Sequence, residues 1–302
     1  RYLVYRYKYN KYPEQNIVEE FPPCIQIEPT SICNFRCVMC YQVDKSFSSK
    51  SHGHMGHMEL DLFKKAIDQL EGNLEAVTLA SRGEPSLNKN LPEMIRYTTG
   101  KFIGLKMNTN ASLLGDNLIH SILSSGMQSL VYSADAADAG TYAKIRVNGN
   151  FDKVRSNIDR FNSIKEKHYP KSKIITKVSG VKIGDEQSFE DMKKTWSSLV
   201  DQVAFVNYNP WESAYDNLEN AITSPCSDLF RRMFLWWDGR FNPCDYDYKS
   251  TLTAFSRENF PKMSISEFWN GELYKNLSIS IYMVKDPRLN HVKDVWLFNR
   301  YT

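Results

Sequence analysis

Between residues 24 and 208 the chain alternates short β-like runs with helical patterns, and no other feature narrows the possible folds as far. The runs are "CIQIEPT" (24–30), "AVTLAS" (76–81), "FIGLKMNTN" (102–110), "SLVYSAD" (129–135), "KIITKVSGVKI" (173–183) and "QVAFVNY" (202–208). Between the first two, "LDLFKKAIDQL" sets Leu62, Phe63, Ala66, Ile67 and Leu70 on one stripe, the spacing of an amphipathic helix. Other helical patterns lie around "LPEMIRYT" and near 115–125, 151–167 and 187–199. Strands alternating with helices, without hairpin signals, predict a parallel sheet with helices outside. Right-handed connections coil such a series into an open or closed barrel, whose chemistry sits at the C-terminal ends of its strands.

After about residue 210 the pattern changes. "MFLWWDGRFNPC" reads as two short aromatic strands around Asp238-Gly239. "SISEFWNGELYKNL" reads as a helix capped by Ser264 or Ser266. The expected organisation is a leader over 1–20, a core over 21–210 and a smaller α+β unit over 211–302. The leader, "RYLVYRYKYNKY", is read as a surface segment whose tyrosines cover the core rather than as a nucleic-acid arm. A net charge of only +3 gives no reason to expect a polyanionic partner. No stretch approaches the ~20 apolar residues of a membrane span, and no signal-peptide core follows the basic start. Six cysteines in 302 residues fall far short of a disulfide scaffold. Their clustering points to metal binding in a reducing compartment, with the cytosol expected.

Three of those cysteines, Cys33, Cys37 and Cys40, share "ICNFRCVMCY" in a C-x3-C-x2-C spacing. A disulfide would leave an odd thiol. Zinc would need a fourth ligand, which His52, His54 or His57 of the nearby "SHGHMGHM" could supply. An iron–sulfur cluster takes thiolates as its standard ligands. A four-iron cluster on three cysteines keeps one iron open to a small molecule.

The spacing resembles the signature of the radical S-adenosylmethionine (SAM) superfamily, on the loop after the first barrel strand. Other motifs follow in the family's order. "SRGEP" (Arg82, Gly83, Glu84, Pro85) is similar to its Gly-Gly-Glu motif, which meets the SAM amino group. "NTNA" (108–111), with Asn110, stands where Thr-Asn-Gly is common. Ser133 and Asp135 of "SAD" resemble the Ser-x-Asp that hydrogen-bonds the ribose, and Arg146 matches the arginine facing the SAM carboxylate. Met39 replaces a frequently aromatic residue and can still pack over adenine. Arg82 replaces the first glycine, and either reaches toward substrate or pairs with a carboxylate at the barrel mouth. The resemblance implies a partial (β/α)6 TIM-like barrel, a 4Fe–4S cluster on Cys33, Cys37 and Cys40, and SAM bound by Met39, Gly83, Glu84, Asn110, Ser133, Asp135 and Arg146. It also implies reductive cleavage of SAM to a 5′-deoxyadenosyl radical that takes hydrogen from a substrate, with flavodoxin or ferredoxin as electron donor.

Cys226 and Cys244 frame the hairpin and resemble the opening of the SPASM or twitch extension, which holds an auxiliary iron–sulfur cluster. No cysteine follows Cys244, and Val292 and Val295 stand where a C-x2-C would sit. A four-thiolate auxiliary cluster is therefore not supported, leaving a site completed by Asp245, Asp247 or His291, a smaller site, or none. The expected substrate is a carbohydrate-like small molecule, oxidised or epimerised, with Tyr208, Trp211, Trp236 and Trp237 as stacking surfaces. The alternatives are a peptide- or protein-modifying enzyme of the same superfamily and, from another class, a non-catalytic Cys3His zinc or redox protein. Asp245 and Asp247 are the candidate general bases. Cys24 is a hydrogen donor only in principle, since it begins a strand far from the mouth.

Overall fold

Strand runs with apolar residues on alternate positions can bury one face under helices and leave the other facing inward, and the chain does this six times. The computed structural model describes residues 2–208, 210–212, 214–215, 226–251, 259–272 and 274–275. Strands β1 (Cys24–Ile27), β2 (Ala76–Leu79), β3 (Gly104–Thr109), β4 (Ser129–Ser133), β5 (Ile175–Lys182) and β6 (Gln202–Asn207) pair in parallel in that order. A hairpin, β7 (Arg232–Leu235) and β8 (Phe241–Asn242), adds to the free side of β1. There β7 pairs in parallel with β1 and β8 antiparallel with β7. One sheet of eight strands results, ordered β8-β7-β1-β2-β3-β4-β5-β6 and not closed, a partial barrel. Thus the hairpin assigned by sequence to the smaller unit continues the core sheet. Gly239 turns it at φ +87, where a side chain would also strike the Phe260 carbonyl.

The outer face is the hydrophobic core. Ile25 and Ile27 of β1, Val77 and Leu79 of β2, Leu105 and Met107 of β3, and Leu130 and Tyr132 of β4 are buried. They share that core with Phe63, Ala66, Ile67 and Leu70 of α2 (Leu60–Leu70), and with buried residues of α3 (Leu91–Tyr97) and α4 (Asp116–Ser124). Each such side chain contributes about 1.5–3 kcal/mol. Two helices follow β4, α5 (Ala139–Ile145) and α6 (Phe151–His168), and α7 (Phe189–Trp196) follows β5. The Trp196 indole on α7 donates to the Ala136 carbonyl at 2.9 Å, fixing this layer to the loop after β4. The leader forms helix α1 (Tyr2–Gln15), and Ser264 caps α8 (Ile265–Asn270) through a capping box. Among the described residues no helix is long and apolar enough to cross a membrane.

The inner face is polar, and one ion pair anchors its rim. The Arg82 guanidinium and Glu28 carboxylate are both fully buried. Arg82 Nε and Nη2 donate to the two Glu28 oxygens at 2.7 and 2.6 Å, and Nη1 donates to the Tyr248 carbonyl at 2.8 Å. The guanidinium also lies 4.1 Å from the Trp236 ring centre. Of the two roles open to Arg82, the structure shows pairing with a mouth carboxylate. Removing one partner strands a buried charge. Glu28→Gln should therefore lower the unfolding free energy by roughly 3–5 kcal/mol, measured by urea denaturation; a loss under ~1 kcal/mol would match a solvent-exposed pair instead.

Candidate active site at the mouth of the partial barrel

The loop after β1 carries the three cysteines, and local bonds hold it open over the barrel. Residues Arg36–Cys37 form a short antiparallel ladder with Arg146–Val147, setting Cys37 opposite Arg146. The Cys40 amide donates to the Cys37 carbonyl at 3.0 Å, and Arg36 Nη1 donates to the carbonyls of Cys33 and Phe35, each at 2.7 Å. From below, the Gln42 amide nitrogen donates to the carbonyls of Ser31 and Arg82 at 2.7 and 2.6 Å. All three thiols line a cavity of about 1020 Å3. Burial pushes the Cys33 thiol up to about 12 and Cys40 to about 11; Cys37 is also raised, with the Arg146 guanidinium acting against burial there.

Met39, Gly83, Glu84, Asn110, Ser133 and Arg146 line the same cavity. Gly83 presses against the cysteine loop: a Cβ there would lie 2.3 Å from the Thr30 carbonyl oxygen and 2.5 Å from that of Ile32. Glu84 Oε2 accepts the Asn110 amide at 2.6 Å and Oε1 accepts the Thr109 hydroxyl at 2.7 Å, so the loops after β2 and β3 share one carboxylate. Ala111, where the resemblance has glycine, takes φ +60 in that turn. Asp135 does not line the cavity. Its side chain is fully buried; one oxygen accepts Arg146 Nε at 2.5 Å and the other accepts the Val181 amide at 2.7 Å. Its carboxylate is spent on holding Arg146 rather than offered to a ribose.

The candidate bases also separate. Asp245 lines the cavity, and burial raises its carboxyl, with nearby Arg232 opposing. Asp247 is buried, and its Oδ1 accepts the Tyr215 hydroxyl at 2.9 Å and the Thr251 amide at 2.8 Å, the part of a turn residue. Cys226 is exposed and Cys244 half-buried, near enough that Cys226 contributes to raising the Cys244 thiol to about 12. His291, Val292 and Val295 lie outside the described residues. Of the four aromatics read as stacking surfaces, only Trp211 lines the cavity. Trp236 is buried, Trp237 donates to the His54 carbonyl at 3.0 Å, and the Tyr208 hydroxyl donates to Glu212. Cys24 is buried at the opposite end of the cavity. Sequence reasoning missed Tyr41 and Tyr246, which also line the cavity; nothing in their spacing marks them.

Among the described residues no three His, Cys, Asp or Glu side chains are placed to hold a metal ion. None of the three loop histidines lines the cavity, and the His54 ring stacks on Phe47 at 5.6 Å. That opposes a Cys3His zinc site, whose four ligands must converge. It suits a cluster, in which each thiolate takes a separate iron.

The family model of the Radical SAM superfamily matches residues 27–192, over half of the chain. The chain belongs to that superfamily. A radical SAM domain implies a 4Fe–4S cluster and SAM as cofactors. An iron–sulfur cluster-binding SPASM domain matches residues 226–292 and implies auxiliary clusters, although Cys226 is the first cysteine of that stretch and Cys244 the last. The mycofactocin maturase MftC of Mycolicibacterium smegmatis is 27% identical over 146 residues, covering 46% of this chain and 36% of that one. The chain spans about a third of the length of the curated relatives it matches. Streptococcus suis SuiB, solved with its precursor peptide SuiA, has a TM-score of 0.67 at 13% identity, covering 94% of this chain and 71% of that one. BtrN, solved with AdoMet and 2-DOIA, has a TM-score of 0.55 at 17% identity over 90% of each chain. These structural likenesses show the radical SAM fold.

Two outcomes are expected. In cluster-free protein, alkylation at Cys33 and Cys40 should accelerate about tenfold per pH unit from 7 to 10, because only the thiolate reacts; site-resolved mass spectrometry would read it, and a plateau below pH 9 would contradict the raised thiols. Gly83→Ala should destabilise by about 1–3 kcal/mol through overpacking, seen as a lower urea midpoint.

Proposed function

We propose that this chain is a radical SAM enzyme that modifies a peptide or protein, with Cys33, Cys37 and Cys40 holding the 4Fe–4S cluster. The observation that carries the reading is the three-thiol loop opening on a cavity of about 1020 Å3 shared with Gly83, Glu84, Asn110 and Arg146. When bound, the cluster and SAM supply reductive cleavage of the sulfonium and hydrogen abstraction from the substrate. The protein's part is placement. The Glu84 carboxylate and the close Gly83 backbone would hold the SAM ammonium, and Arg146, aimed by Asp135, would hold the SAM carboxylate. Met39 would supply an apolar surface for the adenine. Asp245 is the cavity-lining group that can hold or pass a proton.

The choice of peptide rests on two supports. The cavity is at the upper end for a small-molecule site, and it lies in a sheet that β6 leaves open. A structural neighbour was solved with a precursor peptide in place, and a sequence relative is a maturase. For the carbohydrate-like substrate expected from sequence, Trp211 is the one of the four expected stacking aromatics that lines the cavity, beside Tyr41 and Tyr246.

Anaerobically purified protein given SAM and a strong reductant should form 5′-deoxyadenosine, and Cys37→Ala should reduce the yield more than 100-fold. Peptide substrates should raise that yield severalfold and emerge with a changed mass. A rise with aminosugars but with no peptide would overturn the peptide reading.

A further inference from the structure

The cavity does not end at the mouth; it follows the inner face of the strands down to their N-terminal ends, where Cys24, Gln26, Lys106, Ser129, Lys177 and Arg232 line it. Strand register sorts these positions into layers. Gln26 lies opposite Thr78, Thr78 opposite Lys106, and Lys106 opposite Ser129. One layer nearer the mouth, Asn108 lies opposite Val131, Val131 opposite Lys177, and Lys177 opposite Gln202. The two lysines therefore flank β4 from either side, on adjacent layers of the same inward face. Helix α1 contributes Tyr2, Tyr5, Arg6 and Tyr9 to the lining.

The cavity is lined by the cations Arg6, Arg82, Lys106, Arg146, Lys177 and Arg232 and by the carboxylates Glu84 and Asp245, neither of which pairs with a lysine among the described residues. Arg82 is paired with Glu28, Arg146 with Asp135, and Arg232 with Asp228. No ion pair is made by Lys106 or Lys177 among the described residues. The groups that act on Lys106 are Cys24, Lys177 and Arg232, and burial together with the two cations holds its ammonium below the ordinary lysine range. Two unpaired ammonium groups turned into one cavity repel each other and lose hydration, a cost that an anion between them removes. Hydroxyl and amide groups of Ser129, Gln26 and Gln202 line the same space and can add hydrogen bonds.

We propose that Lys106 and Lys177 form an anion-binding subsite at the floor of the partial barrel, which takes an oxyanion of the substrate, a carboxylate or a phosphate. Lys106 lies four residues before Asn110 on the same run, so at about 3.3 Å per residue the subsite is roughly 13 Å below the mouth layer. A substrate held there presents its reacting carbon about three to four extended residues from its anionic group. The subsite's role in substrate choice rests on the peptide reading; its affinity for anions does not.

The test uses the full chain with its cluster and limiting acetic anhydride, with acylation of Lys106 and Lys177 read by peptide mass. Glutarate and inorganic phosphate are the anionic probes and neutral glutaramide the control. At least one anion should slow labelling of both lysines about fivefold or more, with glutaramide inert. Whichever anion protects assigns carboxylate or phosphate. Lys106→Gln should abolish protection at Lys177, and Lys106→Arg should retain it, which separates loss of charge from loss of fold. Equal labelling with and without either anion would overturn the subsite. If the anions protect but no peptide raises 5′-deoxyadenosine, the subsite stands and the peptide reading falls. If peptides raise it regardless of charge and no anion protects, the peptide reading stands and the subsite falls.

Discussion

The mouth of the barrel is organised around one guanidinium. Arg82 gathers four pieces of chain distant in sequence: Glu28 just past β1, its own loop after β2, Phe47 beyond the cysteines, and the hairpin region through Trp236 and Tyr248. A buried pair is weak support for a fold unless every remaining donor is used. Here Nε, Nη1 and Nη2 all find acceptors, and the backbone amides of Arg82 and Trp237 also donate to Glu28. That explains why an arginine can stand where related motifs have glycine. It closes the gap between barrel and hairpin, while Gly83 next to it keeps the close approach to the cysteine loop.

The same economy appears on the other side of the mouth. Asp135, Arg146 and Cys37 form a chain of contacts in which a buried carboxylate holds a guanidinium and the guanidinium faces a thiol. The ladder between Arg36–Cys37 and Arg146–Val147 ties the backbone of that chain together as well. The cysteine loop is thus braced at two places, by Gln42 from within the barrel rim and by Arg146 from the segment after α5. Its three thiols line one cavity.

Much of this was legible in the sequence, because it rests on local pattern. The six parallel strands, the helical stripe of α2, the Asp238-Gly239 hairpin and the Ser264 cap all follow from periodicity and turn chemistry. The cysteine spacing marked the site for the same reason. What escaped depends on partners far along the chain. Asp135 reads as a ligand at a strand end until Arg146 and Val181 close around it. Asp247 reads as a base until Tyr215 and Thr251 occupy it. Helix α5 is seven residues with a glycine inside, too short to announce itself, and α1 has no apolar stripe to mark it. Lys106 and Lys177 are ordinary lysines in strands until the register places them on either side of β4.

The structure keeps two kinds of ion pair. Some, such as Lys101 with Glu71 and Arg160 with Asp116, stand at the water boundary; others, Arg82 with Glu28 and Arg146 with Asp135, are fully or almost fully buried. Dissolved salt shields charges in water over a Debye length of about 8–10 Å at ordinary ionic strength but penetrates little into buried pairs. A more concentrated medium therefore loosens the outer shell of attractions first and leaves the frame around the cysteine loop in force, so the geometry of the mouth is insulated from the ionic composition of its surroundings.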